Sequence, residues 1–215
     1  MAINKKTRIY KRLESVVFRK TGEKFGGLSN MASGFSLQVG DISVRTSEAL
    51  YQACRFPYSD EIQKMIISQK SPMTAKMKSK PFRSQTRPDW DQVRITVMRW
   101  CLRVKLVCNW VKFRNLLLST GEKPIVEDSR RDRFWGAVAK DEDNLEGENV
   151  LGRLLMEIRE ELKSDKSKNL EIVKPPLIKD FLLFNSPIPI IYAKKEVKEK
   201  EIVTTPKQLN LFTNV

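Results

Sequence analysis

The sequence predicts a helix-dominated α+β domain with a few short strands, on three observations. An apolar period of about 3.6 residues runs through positions 93–111, and a second runs through 151–162. Short apolar runs bounded by Gly, Pro and charged residues fill the stretches around them. The chain has 215 residues, 40% of them hydrophobic, which suits one domain with a single core and a tail. Residues 1–193 are assigned to the domain and 194–215, rich in Lys and Glu, to the tail.

The elements follow in order. Residues 14–45 read as strands and turns: SVVFRK, the turn TGEKFGGLSN, then GFSLQVGDISVRT. TSEALYQACRF is a helix capped by Thr46 or Ser47. Residues 60–80 are helical and broken by Pro72 and Pro81. RPDW opens a long helix with Asp89 as its cap. On that helix Val93, Val97, Trp100, Val104, Val107 and Val111 form one stripe, widened by Cys101 and Cys108. FRNLLLSTGEKPIVEDS gives a short helix, a glycine stop and a brief strand. RRDRFWGAVAKDEDNLEGEN reads as a polar loop around one aromatic, and VLGRLLMEIREEL as an amphipathic helix with Leu151, Leu154, Leu155, Ile158 and Leu162 on one face. Two extended pieces, DFLLF and IPIIYA, follow the charged KSDKSKN.

Composition narrows the chemistry. The net charge of +14 favours a polyanionic partner or an anionic small ligand. With no histidine, the commonest general base and metal ligand are absent, and acid–base work falls to carboxylates, lysine or tyrosine. No metal and no cofactor are expected. Three cysteines without CxxC spacing read as reduced core residues of a cytoplasmic protein. No apolar run reaches the roughly 18 residues of a membrane span, and no apolar segment follows the basic MAINKKTRIYKRL as a secretory signal requires.

Several residues stand out against simple packing. Lys105 projects between Cys101 and Met98 at the edge of the apolar stripe. Either its methylenes lie on the core with the charge in water, or its amine is desolvated and nucleophilic. In FGGLSN, Gly26 and Gly27 beside Ser29 and Asn30 suit a tight loop whose backbone approaches a ligand. Glu48, Gln52 and Arg55 share a helical face, with Tyr51 at i+3 from Glu48. RDRFWG places Asp132 three residues before Trp135, an arrangement suited to a stacking platform, followed by Gly136. Asn149 stands at a helix start, by default a cap.

The ordered set FGGLSN, SEALYQACRF, RPDWDQVR…VMRWCLRVK, LLLSTGEKPIVEDSRRDRFWG and GENVLGRLLMEIR closely resembles the NADAR, or YbiA-like, family over residues 16–163. DFLLF…PIPII looks like the C-terminal extension of longer members. One departure is visible: the family pattern usually carries a histidine after the motif glutamate, and here it is Ala49. The resemblance implies N-glycoside hydrolysis on one of two substrates. One is ADP-ribose on guanine in nucleic acid, where the domain is the antitoxin of a DNA-ADP-ribosyltransferase toxin. The other is a ribosylamino-pyrimidine phosphate of riboflavin synthesis. Both are glycosylamines, which ring-open to imines. A neutral Lys105 could attack the imine and form a Schiff base with ribose, with Glu48 moving protons. In the alternative, Glu48 activates water, Lys105 only holds a hydroxyl or carboxylate, and Asp132 acts as second carboxylate or ribose ligand. Phe25, Gly26, Gly27, Ser29, Asn30, Tyr51, Gln52, Trp135, Gly136 and Asn149 are the expected ligand-binding residues. A non-catalytic module that binds ADP-ribose is the reading from a different class.

The tail carries Gln208, Leu209, Asn210, Leu211 and Phe212, which resembles the bacterial sliding-clamp-binding peptide. Such a peptide fits a DNA substrate better than a riboflavin intermediate, and the expected partners are ADP-ribosylated DNA, the cognate toxin and the clamp. Truncation after Thr205 is therefore expected to preserve turnover of short oligonucleotides and abolish capture of purified clamp, with Leu211 and Phe212 as anchors. Capture at wild-type strength by the truncated chain would remove the tail from that role.

Overall fold

The structure, a computed structural model, describes residues 6–193. Its axis is helix α4 (Trp90–Cys108), 19 residues long and so about 28 Å from end to end. From Val97 to Val107 almost every residue of α4 except Arg99 and Arg103 is buried, because neighbours cover it on several sides. Helices α1 (Ser47–Ala53), α5 (Trp110–Leu118) and α6 (Val150–Lys163) all pack against it. The predicted stripe continued to Val111, but α4 ends at Asn109 (φ −133°, ψ 48°), where the chain turns into α5. Val111 is consequently exposed. Asp89 makes no capping bond either. Its carboxylate accepts from Arg87 Nε at 2.5 Å and Nη2 at 3.0 Å.

The strands form small sheets around the helices. β2 (Val16–Phe18) pairs in parallel with β5 (Ile125–Glu127), and β3 (Leu37–Val39) forms a hairpin with β4 (Ile42–Val44) around Gly40 at φ 58°. An antiparallel sheet joins β1 (Arg8–Lys11), β7 (Asn144–Gly147) and β6 (Val138–Ala139), in the order β1-β7-β6. This sheet corrects the reading of residues 130–149 as a loop. Its buried side is a second, small core of Tyr10, Val126, Ala137 and Leu145, with too few apolar residues per strand to show a period of two.

Helices α2 (Asp60–Ile67) and α3 (Pro72–Ser79) start at the capping hydroxyls of Ser59 and Ser71. Pro72 sits in the first turn of α3, so it opens that helix rather than breaking one. Arg99–Glu157 and Arg103–Glu161, one turn apart, clamp α4 to α6 at 2.8 and 2.6 Å. Beyond α6, β8 (Ile172–Val173) pairs with β11 (Ile191–Tyr192), and β9 (Leu182–Leu183) with β10 (Ser186–Pro187). Residues 194–215, including the clamp-like peptide, lie outside the described residues. Among the described residues no helix is long and apolar enough to cross a membrane.

Buried Gln63 ties this C-terminal segment to α2. Its Nε2 donates to Leu182 O at 3.0 Å and to Ala53 O at 3.3 Å, and its Oε1 accepts from Phe184 N at 2.7 Å. Gln63→Ala leaves these backbone groups without their partner, and a loss of about 1–3 kcal/mol in urea unfolding is expected. A loss below about 0.5 kcal/mol would show that water replaces the amide there.

Candidate active site

A cavity of about 560 Å³ opens where α1, α3, α4, β5 and the 128–135 loop meet. Five carboxylates line it: Asp91 and Asp128 are paired with Arg94 and Arg12, and Glu48, Glu127 and Asp132 carry no ion pair among the described residues, while Asn30, Tyr51, Gln52, Trp90 and Trp135 lie on its walls. Arg19, Arg55, Lys76, Arg83, Arg94 and Arg130 complete the lining with positive charge. A slightly larger groove of about 650 Å³ lies between α4, α6 and β8. Its carboxylates, Glu157 and Glu161, are both held by arginines, so it offers no free acid or base from α6.

Each carboxylate is set by its backbone. Thr46 Oγ1 caps α1 by accepting from Ala49 N at 3.3 Å, which puts Glu48 in the first turn. The Glu48 backbone N–H donates to Asn30 O at 3.1 Å, tying the helix start to the FGGLSN loop. Glu48 Oε1 accepts from Gln52 Nε2 at 2.9 Å, and Gln52 Oε1 accepts from Ser79 Oγ and Arg55 Nη1. Burial raises the pKa of Glu48, against the downward pull of Lys76 and the Gln52 amide. Glu127 ends β5 and is pushed up to about 7, first by burial and then by the charges of Asp132 and Glu48. Asp132 Oδ1 accepts from Phe134 N at 3.0 Å and Trp135 N at 2.8 Å, an Asx turn that orients the tryptophan loop.

The aromatic wall is a linked set. Tyr51 meets Trp90 at 5.1 Å and Trp135 at 5.6 Å between ring centroids, and Arg55 lies over Trp90 at 5.4 Å. Burial and the neighbouring Glu48 raise the Tyr51 phenol well above its ordinary value, so it stays neutral and can donate.

Of the expected site residues, Glu48, Asp132, Asn30, Tyr51, Gln52 and Trp135 come together on this cavity. The others do not line it. Gly26 and Gly27 serve packing: a Cβ on Gly26 would stand 2.4 Å from Lys20 O, and one on Gly27 2.7 Å from Leu116 Cδ2. Phe25 packs at the edge of the core, and Ser29 is buried with its Oγ accepting from Met31 N. Gly136 is needed because a Cβ would meet Glu127 O at 2.6 Å. Asn149 makes no side-chain cap. At φ 48° its Oδ1 accepts from Glu127 N at 3.2 Å and its Nδ2 donates to Ile125 O at 2.8 Å, so it aligns the strand that carries Glu127.

Lys105 has the desolvated amine of the second sequence reading, but it lies away from this cavity. It is 1% exposed, so its charge does not reach water, and it is not part of the cavity wall. Its Nζ donates to Gly27 O at 2.6 Å and Ser29 O at 2.9 Å and lies 4.5 Å from the ring centroids of both Phe35 and Phe113. Burial, and secondarily Lys112, lower its pKa to about 7. Met98, two helical turns earlier, does line the cavity, which puts Lys105 about 10 Å further along α4. The lysine that reaches the cavity is Lys76, on α3.

Sequence reasoning missed Glu127 and Lys76. Glu127 was readable only as the polar end of the IVE run, and nothing local distinguishes Lys76 from the other lysines of residues 64–80. Ala49, where the motif usually has histidine, is buried in the core and does not line the cavity. Among the described residues, no group of three or more His, Cys, Asp or Glu is placed to hold a metal ion.

An α+β domain whose cavity gathers carboxylates, aromatics and arginines is a defined class of small-ligand site. The family model of the NADAR domain matches residues 17–163. The chain is 34% identical over 152 residues to N-glycosidase YbiA of Escherichia coli K12, covering 69% of this chain and 89% of that relative. It is 32% identical over 157 residues to riboflavin biosynthesis protein VVA0006 of Vibrio vulnificus, covering 73% of this chain and 41% of that one. The NMR structure of E. coli YbiA superposes with a TM-score of 0.60 at 30% identity, covering 75% of this chain and 94% of that structure. The chain belongs to the NADAR family.

The raised pKa of Glu127 links to stability. Its neutral form is the one the fold favours, so its contribution is complete below its ordinary value of 4.5 and is lost as pH rises through about 7. Glu127→Gln is expected to flatten the fall of Tm with pH across that window. Identical Tm profiles for variant and wild type would place Glu127 in the ordinary carboxylate range.

Proposed function

We propose that this cavity hydrolyses an N-glycosyl bond and that its substrate is ADP-ribose attached to guanine in DNA. The observation that carries the reading is one cavity lined by two carboxyls of raised pKa, Asp132, three aromatic rings and six cationic side chains. Glu127, close to half-protonated at neutral pH, protonates the departing exocyclic nitrogen. Glu48 takes the proton from the attacking water, and the negative charge of Asp132 offsets the positive charge that develops on the ribose. The water oxygen ends on the anomeric carbon, its proton on Glu48, and the base leaves with the proton from Glu127.

The six cationic side chains of the lining support a diphosphate-bearing substrate over a monophosphate. Trp90 and Trp135 offer faces for a base. The net charge of +14 and the clamp-like tail support DNA as the carrier. On this reading the chain is the antitoxin of a DNA-ADP-ribosyltransferase and shares the N-glycosidase activity in the name of its YbiA relative. The riboflavin-related name of the Vibrio relative favours a second substrate, a ribosylamino-pyrimidine phosphate. A covalent route through an amine would use Lys76, the lysine on the cavity wall.

The test is release of free ADP-ribose from guanine-ADP-ribosylated oligonucleotides, run beside the ribosylamino-pyrimidine phosphate. Preferential turnover of the DNA, insensitive to exhaustive chelation, is the expected outcome. Turnover of the pyrimidine alone would move the chain to the second substrate, and binding of modified DNA without turnover would make it a recognition module. Glu48→Gln keeps the shape of the helix start and is expected to lower kcat by roughly 10²–10⁴. Near-wild-type kcat in this variant would leave Glu48 as a helix-start residue only.

A further inference from the structure

We propose that Lys105 is a positioning residue: its ammonium grips the FGGLSN loop from inside the core and so sets the two groups which that loop delivers to the cavity, Glu48 and Asn30. The inference rests on the reading of Glu48 as the proton-accepting group, and the geometry forms a short chain. Lys105 Nζ donates to Gly27 O and Ser29 O, the carbonyls that flank the last turn of the loop. The next residue, Asn30, accepts the Glu48 backbone N–H at 3.1 Å. A displacement of the loop therefore moves the first turn of α1, and Glu48 with it.

The Asn30 side chain shows what else the loop holds in place. Asn30 is 4% exposed and lines the cavity, its Nδ2 lies on Met98 Sδ, and its Oδ1 is buried with no hydrogen-bond partner among the described residues. A buried acceptor left open at a cavity wall is suited to a donor from a ligand, such as a ribose hydroxyl or an exocyclic N–H.

The loop cannot be held this way by another residue type. Phe35 and Phe113 stand edge to face at 5.6 Å and close around the ammonium, and Leu116 and Phe35 leave no room for a Cβ at Gly27. A planar guanidinium does not fit where a compact ammonium makes two carbonyl contacts between two rings. Two carbonyls and two ring faces are acceptors for a cation, and they enclose the amine away from the cavity wall.

The test is Lys105→Met, which keeps the length of the stem and removes the donors. Carboxyl ¹³C NMR, with the Glu48 signal assigned from Glu48→Gln, reads the Glu48 titration without substrate. In Lys105→Met that midpoint is expected to fall toward the ordinary carboxylate value, and the amides of Ser29, Asn30 and Glu48 to exchange at least about tenfold faster. Both readouts within twofold of wild type would overturn the proposal. Should the variant not fold, the wild-type chain decides. On brief treatment with an amine-acylating reagent, Lys76 should be modified and Lys105 spared until unfolding. Acylation of Lys105 at the rate of exposed lysines, or a borohydride-trapped ribose adduct on it during turnover, would overturn the positioning role. None of the substrate-free readouts depends on which N-glycoside is cleaved, so failure of the DNA assay leaves this test standing.

Discussion

A lysine amine buried in an apolar core must find acceptors for its N–H groups, and much of this molecule is arranged around that requirement at Lys105. The acceptors are backbone carbonyls of residues 27 and 29, so the loop that carries them is drawn onto α4 and α5. That close approach excludes a Cβ at Gly27, against Leu116 and Phe35, while the carbonyls of Lys20 and Thr21 in the preceding turn exclude one at Gly26. The same loop then docks the start of α1 through Asn30 and Glu48. Helix α4 thus does two jobs along its length: near Lys105 it anchors a loop, and from Trp90 to Met98 it supplies part of the cavity wall.

The cavity itself is an electrostatic compromise. Burial makes ionisation of Glu48 and Glu127 costly, and the charge of Asp132 beside them adds to that cost. The surrounding arginines and Lys76 offset this only in part, since Glu48 and Glu127 both stay above the ordinary carboxylate value. A site with neutral and ionised carboxyls side by side at neutral pH is a site prepared for proton transfer. The absence of histidine from the chain is then no obstacle to acid–base chemistry.

The NADAR relatives share this domain, and the chain adds to it the segment after residue 163, where the family match ends. That segment is joined to the domain through Gln63 and through Arg87, whose Nη2 donates to Lys179 O at 2.7 Å. It covers Trp100 with Phe181, edge to face at 5.0 Å. Ala49, in the first turn of α1, is buried in the core and is not part of the cavity lining.

The amino-acid sequence by itself determined the helices, most strand positions, the family and two of the cavity's carboxylates, Glu48 and Asp132. Those features are carried by local patterns: the apolar period of α4 and α6, the Thr46 cap that places Glu48, and the Asp132 turn before Trp135. Only the tertiary structure decided what Lys105 does, because a helical position at the edge of a stripe is compatible with water, a ligand or buried carbonyls. It also revealed Glu127, whose character comes first from burial and then from the charges of Asp132, five residues on, and Glu48, distant in the chain. The β1-β7-β6 sheet was hidden for the same reason: its strands are held by cross-chain pairing and bury too few apolar residues to announce themselves. Periodicity reports which side of an element is apolar, whereas the partner that covers that side is set by long-range packing.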